Sequence, residues 1–259
     1  MSSKHNSYAP GHAASQTAVS QNPSLTLLDI GAGSGTISAS LAKYLLQGHV
    51  LATDISDSIL ARAKEYADSQ GVTNISFQKA SVYELPFEDS KFDVVHAHQV
   101  LCHLDSPVEA VKEMLRVVKP GGLLALREWD PRMWCFWPET KGLLEYQELM
   151  VAVMLANGGQ DKAGRRLVSW VMGAGVERER IEASFGTWCY SKPEDRRAWG
   201  NSMIERLRDG PLREKGIELG LTTEKGVEEM IKAWEEWIET SDATLGIMNG
   251  EIVAKKAVV

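Results

Sequence analysis

The chain has 259 residues, 44% of them hydrophobic, which suits one α/β domain with a sizeable elaboration. Its 28 basic and 35 acidic residues leave a net charge of −7. Neither residues 1–130 (10 basic, 14 acidic) nor residues 131–259 (18 and 21) carry the basic excess of a nucleic-acid binder.

The apolar run Leu149 to Ala156 is far short of the ~18 residues of a membrane span, and the polar N-terminus has no signal-peptide core. Cys102, Cys135 and Cys189 lie far apart without a CxxC pair, so neither a disulfide framework nor a metal site is expected. A cytoplasmic protein with no membrane partner follows; no oligomeric state can be assigned.

Residues 1–24 are rich in Ser, Asn, Gln, His and Ala. They read either as a frayed tail or as a lid anchored by Tyr8 and His12. The chemistry starts at Leu27-Leu28-Asp29-Ile30-Gly31-Ala32-Gly33-Ser34-Gly35-Thr36. A buried strand running into alternate glycines lets backbone approach a ligand closely, because Gly lacks a Cβ and reaches positive φ cheaply. The helix that follows, Thr36 to Gln47, offers unpaired N–H groups at its positive end.

Val50 to Asp54 reads as a second strand ending in an acid, Asp57 to Ala67 as a helix stopped by Gly71, and Asn74 to Lys79 as a third strand. Phe92 to Ala97 is a fourth strand. Ser106-Pro107-Val108-Glu109 is a helix start with a capping Ser, Pro at the first helical position and Glu three residues after the cap. Leu123 to Leu126 is a fifth strand. This alternation predicts a doubly wound, mostly parallel, Rossmann-like sheet.

From Asp130 the rhythm breaks. Helices are expected at 142–156, 165–172, 193–208 and 225–239, around a strand at Ile181 to Tyr190, with a last strand at Glu251 to Lys255. The expected organisation is a core at 25–130, a mainly helical substrate cap with one core strand at 131–245, and the final strand of a seven-stranded sheet in 246–259. Seven of the eight tryptophans and six of the nine methionines lie between 131 and 245. Most serve the core of that extra layer. Trp129, Trp134 and Trp137 are the first candidates for a substrate pocket beside the carboxyl ends of the strands.

A nicotinamide site would read G-x-G-x-x-G, whereas here the spacing is G-x-G-x-G with Thr36 at the expected third glycine. With Asp29 before the turn and Asp54 ending the second strand, the pattern resembles class I S-adenosylmethionine-dependent methyltransferases, and within them the ubiquinone- and menaquinone-biosynthesis branch. Leu85-Pro86-Phe87, Phe92-Asp93-Val94-Val95, His103-Leu104 and Leu115 to Gly122 complete the resemblance.

The resemblance implies S-adenosylmethionine as cofactor. It places Gly31, Ala32 and Gly33 under the methionine part, with Asp29 orienting the turn or the amino group. Asp54 would accept from both ribose hydroxyls, Ile55 would flank the adenine, and Ser81 and Val82 would meet its edge. His98 and Gln99 would sit at the methionine end. Many relatives carry an acid where Ser81 stands; a neutral hydroxyl makes that adenine contact weaker.

His103, just after the fourth strand, is the candidate general base; its structural alternative is a capping or packing residue. His96 reads as packed, and H-x-H without a third ligand does not make a metal site. Glu128 and Asp130 could hydrogen-bond a substrate or pair with Arg127 or Arg132. Cys102 reads as a small buried hydrophobe.

Gly11-His12, Ser15 and Glu128-Trp129-Asp130 are similar to fungal secondary-metabolite methyltransferases. Among these are enzymes that methylate thiols of reduced dithiol diketopiperazines. The expected reaction is S-methylation of such a small, largely apolar metabolite. O- or C-methylation of a phenol or quinol is the second reading, and a non-catalytic cofactor-binding regulator a third.

Overall fold

The computed structural model describes Asn22 and residues 24–258; Tyr8 and His12, the anchors of the expected lid, lie outside them. One seven-stranded sheet organises the chain. Its strands are β1 (Thr26–Ile30), β2 (His49–Asp54), β3 (Ile75–Lys79), β4 (Phe92–His98), β5 (Val118–Trp137), β6 (Ile181–Tyr190) and β7 (Thr244–Lys255). They lie in the order β3-β2-β1-β4-β5-β7-β6. Strands β1 to β5 are parallel, and β7 pairs antiparallel with both β5 and β6. The doubly wound, mostly parallel sheet expected from the sequence is therefore present.

Alternate residues of each central strand point to opposite faces and bury into two separate cores. Leu27, Val50 and Val94 pack with α1 (Thr36–Tyr44) and α2 (Asp57–Ser69). Leu28, Val95, Leu124 and Leu126 pack on the other face with α3 (Pro107–Val117) and the helices that follow. The helix α3 starts where its Pro directs. The capping Ser is a correction, however: the Ser106 side chain makes no cap hydrogen bond, and its N–H donates instead to the Tyr83 hydroxyl at 3.2 Å.

Beyond β5 come α4 (Lys141–Ala156), α5 (Ala163–Gly173), α6 (Pro193–Arg208), α7 (Pro211–Glu218) and α8 (Glu224–Glu239). The sequence reading missed α7. It also cut two strands short. The fifth strand, expected to end at Leu126, continues to Trp137, a register break between Trp129 and Trp134 absorbing Asp130-Pro131. The last strand, expected to begin at Glu251, begins at Thr244, so Gly246 and Asn249-Gly250 lie inside it. Gly250 is a place of close approach: a Cβ there would collide with the Gly164 carbonyl oxygen, where α5 rests on the strand.

The consequence for function is a wall. β4 ends at His98, paired with Arg127, while β5 runs on for ten residues with β7 and β6 beside it. The helices α4, α6 and α8 pack against that extension through Tyr146, Trp199 and Trp234. No helix among the described residues is long and apolar enough to cross a membrane.

Candidate active site

The carboxyl ends of β1, β2 and β4 meet where the strand order reverses, the position at which open α/β sheets bind ligands. Gly31, Gly33 and Gly35 all take positive φ, at 68°, 53° and 76°. The turn is tied down by the Ala32 N–H donating to the Thr53 carbonyl at 2.8 Å and the Gly35 N–H donating to the Ala32 carbonyl at 2.9 Å. The three glycines serve different ends. A Cβ on Gly31 would meet Val100 Cγ2 at 2.5 Å, and one on Gly35 would meet the Ala63 backbone at 2.9 Å. One on Gly33 would find nothing nearer than the Gly31 carbonyl at 3.9 Å.

That contrast yields a paired expectation. Gly35→Ala should lower the thermal midpoint by several degrees, since it adds a backbone collision to the left-handed penalty of about 1–2 kcal/mol. Gly33→Ala carries the penalty alone and should leave the fold intact while obstructing the cradle. Thermal melts and S-adenosylhomocysteine titration on both variants would separate the two; equal loss of binding and stability in both would refute the division.

Asp29 is buried beneath the turn, with one carboxylate oxygen accepting from the Ser38 hydroxyl and the other 2.8 Å from His96 Nδ1. It locks β1 to α1 and β4, so its geometry is that of a residue orienting the turn. Asp54 spans the next gap: Oδ2 accepts from the Gly33 N–H at 3.2 Å and Oδ1 from the Ser56 N–H at 3.1 Å. Each oxygen keeps a lone pair for a further donor. Ile55 is 71% exposed at the rim. Ser81 is exposed, its hydroxyl accepting from the Tyr83 N–H, whereas the Val82 side chain is buried in the core. Gln99 sits at φ 57°, and its N–H donates to the Arg127 carbonyl at 2.9 Å.

Of the substrate candidates, Trp129 and Trp134 come together, with ring centroids 5.7 Å apart, and Trp134 lies 6.1 Å from Trp199. Two expectations need correction. Trp137, at the far end of β5, is 58% exposed and donates its indole N–H to Asp242, away from that cluster. Glu128 is fully buried, and its carboxylate accepts the N–H groups of Val100, Leu101 and Cys102 at 2.9, 2.8 and 3.1 Å. It holds the 3-10 turn Leu101–His103 rather than facing an open space. Burial pushes its carboxyl up to about 7. Asp130 is likewise buried, paired with Arg165 rather than Arg127 or Arg132.

His103 itself is exposed at the end of that turn. Surrounding protein and the Arg206 guanidinium hold its imidazole below the ordinary value, so it is neutral at pH 7. Cys102 is buried, and burial with the neighbouring Glu128 charge pushes its thiol well up, which leaves it unreactive.

Sequence reasoning missed Arg127 and Glu251. They form a buried ion pair between β5 and β7 at 2.7 Å, with Arg127 Nη1 3.1 Å from His98 Nε2 and its guanidinium carbon 4.8 Å from the Trp188 ring centroid. The available signal was two opposite charges, each next to an apolar run: Arg127 after Leu123 to Leu126 and Glu251 before Ile252 to Ala254.

Residues 28–126 match the family model of a methyltransferase domain. An uncharacterised methyltransferase of Schizosaccharomyces pombe is 32% identical, the match covering 89% of this chain and 84% of that one. The probable methyltransferase ltbC of Aspergillus luteorubrus is 30% identical over 89% and 85%. The ubiquinone/menaquinone biosynthesis C-methyltransferase of Vibrio campbellii is 34% identical, over 42% of each chain.

The fold is shared with the [4+2]-cyclase SpnF (TM-score 0.57, 19% identity, 95% of this chain and 82% of that one). A sarcosine dimethylglycine methyltransferase assigned in Galdieria sulphuraria shares it too (0.54, 18%, 95% and 84%). The chain belongs to the methyltransferases. It is an S-adenosylmethionine-dependent enzyme of that family, and the glycine turn open at Gly33 and the free lone pairs of Asp54 fit that cofactor.

Proposed function

We propose that this enzyme methylates a thiol of a small, largely apolar metabolite of secondary metabolism, a reduced dithiol diketopiperazine-type compound being the preferred acceptor. The observation that supports this is the aromatic cluster of Trp129, Trp134, Trp188 and Trp199 on α6 and on the part of the wall that runs past the end of β4. Such a cluster would suit a compact ring system and exclude water from the reaction. Helices 141–239 act as its cap. Both long matches are to fungal proteins, which supports a fungal-type metabolite.

When bound, S-adenosylmethionine supplies a methyl group already activated on a sulfonium. The protein's work is then alignment, which can contribute ~7–11 kcal/mol. Asp54 would accept both ribose hydroxyls in charge-assisted bonds. Ile55 would shield one face of the adenine, with Ser81 and the Val82 backbone at its edge. Gly31, Ala32 and Gly33 would lie under the methionine part, held by Asp29, and His98 and Gln99 would close that end. His103, neutral at pH 7, would take the acceptor's S–H proton. A thiol of pKa ~8.5 needs little help, and a phenol of ~10 needs more.

The second reading is O- or C-methylation of a phenol or quinol, whose flat ring the same indoles would flank. Labelled S-adenosylmethionine offered with a panel of dithiols, phenols and quinols decides between them. Label on sulfur supports the proposal; label only on oxygen or carbon overturns it. His103→Ala should lower turnover at pH 7 and restore it as the pH is raised toward the acceptor's own pKa. A variant with the wild-type pH profile would remove His103 as base.

A further inference from the structure

The inner face of the wall holds more hydrogen-bond donors than it uses. Three rows cross β5, β7 and β6 on that face: Arg127–Glu251–Ser184, Trp129–Asn249–Gly186 and Trp134–Ile247–Trp188. Large side chains stand at Arg127 in the first row, Trp129 in the second, and Trp134 and Trp188 in the third. Beside Trp129 the middle row has the short, fully buried Asn249 and then Gly186, over which the Glu251 carboxylate reaches.

Around this row, Arg127 Nη2, the indole Nε1 atoms of Trp134, Trp188 and Trp199, and Gln99 Nε2 are buried without a hydrogen-bond partner, while the Trp129 indole is engaged with the Cys102 thiol. Asn249 Oδ1 is an unpartnered acceptor in the same region. Arg127 and Trp134 are each at least nine-tenths buried.

Folded proteins pair about nine in ten of their buried polar groups, so a cluster this dense in unused donors is not explained by folding alone. The rings around it are in mutual contact: Trp134–Trp199 at 6.1 Å, Trp188–Trp199 at 6.4 Å and Tyr190–Trp199 stacked at 4.4 Å. The positive charge is already matched, since Arg127 is paired with Glu251. Burial pushes the Tyr190 phenol up, so it stays neutral. The region as a whole is donor-rich and close to uncharged.

We propose that this face seats an acceptor oxygen on the flat ring of the methyl acceptor, a ring carbonyl or a ring carboxylate held by Arg127 Nη2 and the indole N–H groups. This rests on the small-molecule acceptor reading above and narrows it: the substrate carries an oxygen that accepts hydrogen bonds on the ring bearing its nucleophile. With Arg127 balanced by Glu251, a neutral carbonyl binds at least as well as a carboxylate. The aromatic walls supply stacking, and the donors set orientation and discrimination, because an analogue lacking the oxygen leaves them dry.

Three bicyclic probes test this: 1-tetralone for the carbonyl, 1-naphthoate for the carboxylate and tetralin for neither. They are titrated into the protein with S-adenosylhomocysteine present, and the indole N–H resonances are followed by nitrogen–proton NMR. Tetralone should shift at least two of the resonances of Trp134, Trp188 and Trp199, and should bind about tenfold or more tighter than tetralin.

Trp188→Phe keeps a ring but removes one donor; it should weaken tetralone several-fold and leave tetralin unchanged. Arg127→Met would strand Glu251 in the interior, so the tryptophan variant carries the test. Tetralin moving the same resonances with equal affinity would overturn the proposal, as would naphthoate and tetralone leaving them in place. The readout needs no methyl transfer. A protein that binds tetralone but methylates no thiol keeps this inference and loses the thiol reading. One that methylates thiols without these shifts loses this inference alone.

Discussion

Replacing Asp54 by alanine should weaken S-adenosylhomocysteine binding about a hundredfold or more, on the basis of two hydrogen bonds to a charged acceptor at about 1.5–3 kcal/mol each. The carboxylate ends β2, reaches over the turn and already fixes the Gly33 and Ser56 N–H groups. Its remaining lone pairs, beside the open Gly33, are those proposed to accept from the ribose hydroxyls. Loss of the two backbone partners should also lower stability, by about 1–2 kcal/mol, so a melt must accompany the titration. Asp54→Asn keeps an acceptor oxygen and should recover part of the affinity. Isothermal titration showing wild-type affinity in Asp54→Ala, with the fold intact, would mean the ribose is held elsewhere.

The second large effect is expected at Glu128. Its two oxygens satisfy three backbone donors in a dry interior. Glu128→Ala strands all three, and with a cost of about 1–3 kcal/mol per buried unpaired group the loss should reach several kcal/mol, a fall of about 10 °C in Tm. What loosens is the turn that carries His103, so turnover should fall even at temperatures where the variant is folded.

The same carboxyl gives a pH signature. Burial raises it from 4.5 to about 7, so between those values the folded state holds a proton that the unfolded state has lost. Its contribution is fully present below pH 4.5 and disappears as pH rises through 7, about 3 kcal/mol in all. His103, with its lowered value, acts in the opposite sense, being destabilising as pH falls below 6.5. The quantity to measure is therefore the wild-type minus Glu128→Gln difference in urea midpoint from pH 5 to 8. It should shrink as the pH rises, and a flat difference would contradict a proton on Glu128.

The first half of the molecule was legible because each signal there is local. Leu27 to Thr36 announces its own turn through glycine spacing, and Asp54 ends a strand visible as an apolar run. Ser106-Pro107 marks its helix although the Ser caps nothing. The second half depends on pairings distant in sequence. Arg127 acquires its partner 124 residues later in Glu251, and Gly250 is needed because α5 comes within backbone contact of it. Period and punctuation do not carry such information. They end the fifth strand at Leu126 and begin the last at Glu251, both inside longer strands. The tryptophans were visible as a compositional excess, but which of them face inward is decided by strand parity along an extension that the sequence hid.

That extension sets a boundary inside a single strand. The match to the methyltransferase domain stops at Leu126, and beyond Arg127 β5 outruns β4 to build the aromatic wall. The first half of the strand thus belongs to the cradle side of the sheet and the second half to the wall. Because β7 pairs with both halves, changes in the wall are carried on backbone anchored beside the central strands. New acceptors could be accommodated by exchanging side chains beyond residue 127 while the cradle for the methyl donor stays as it was.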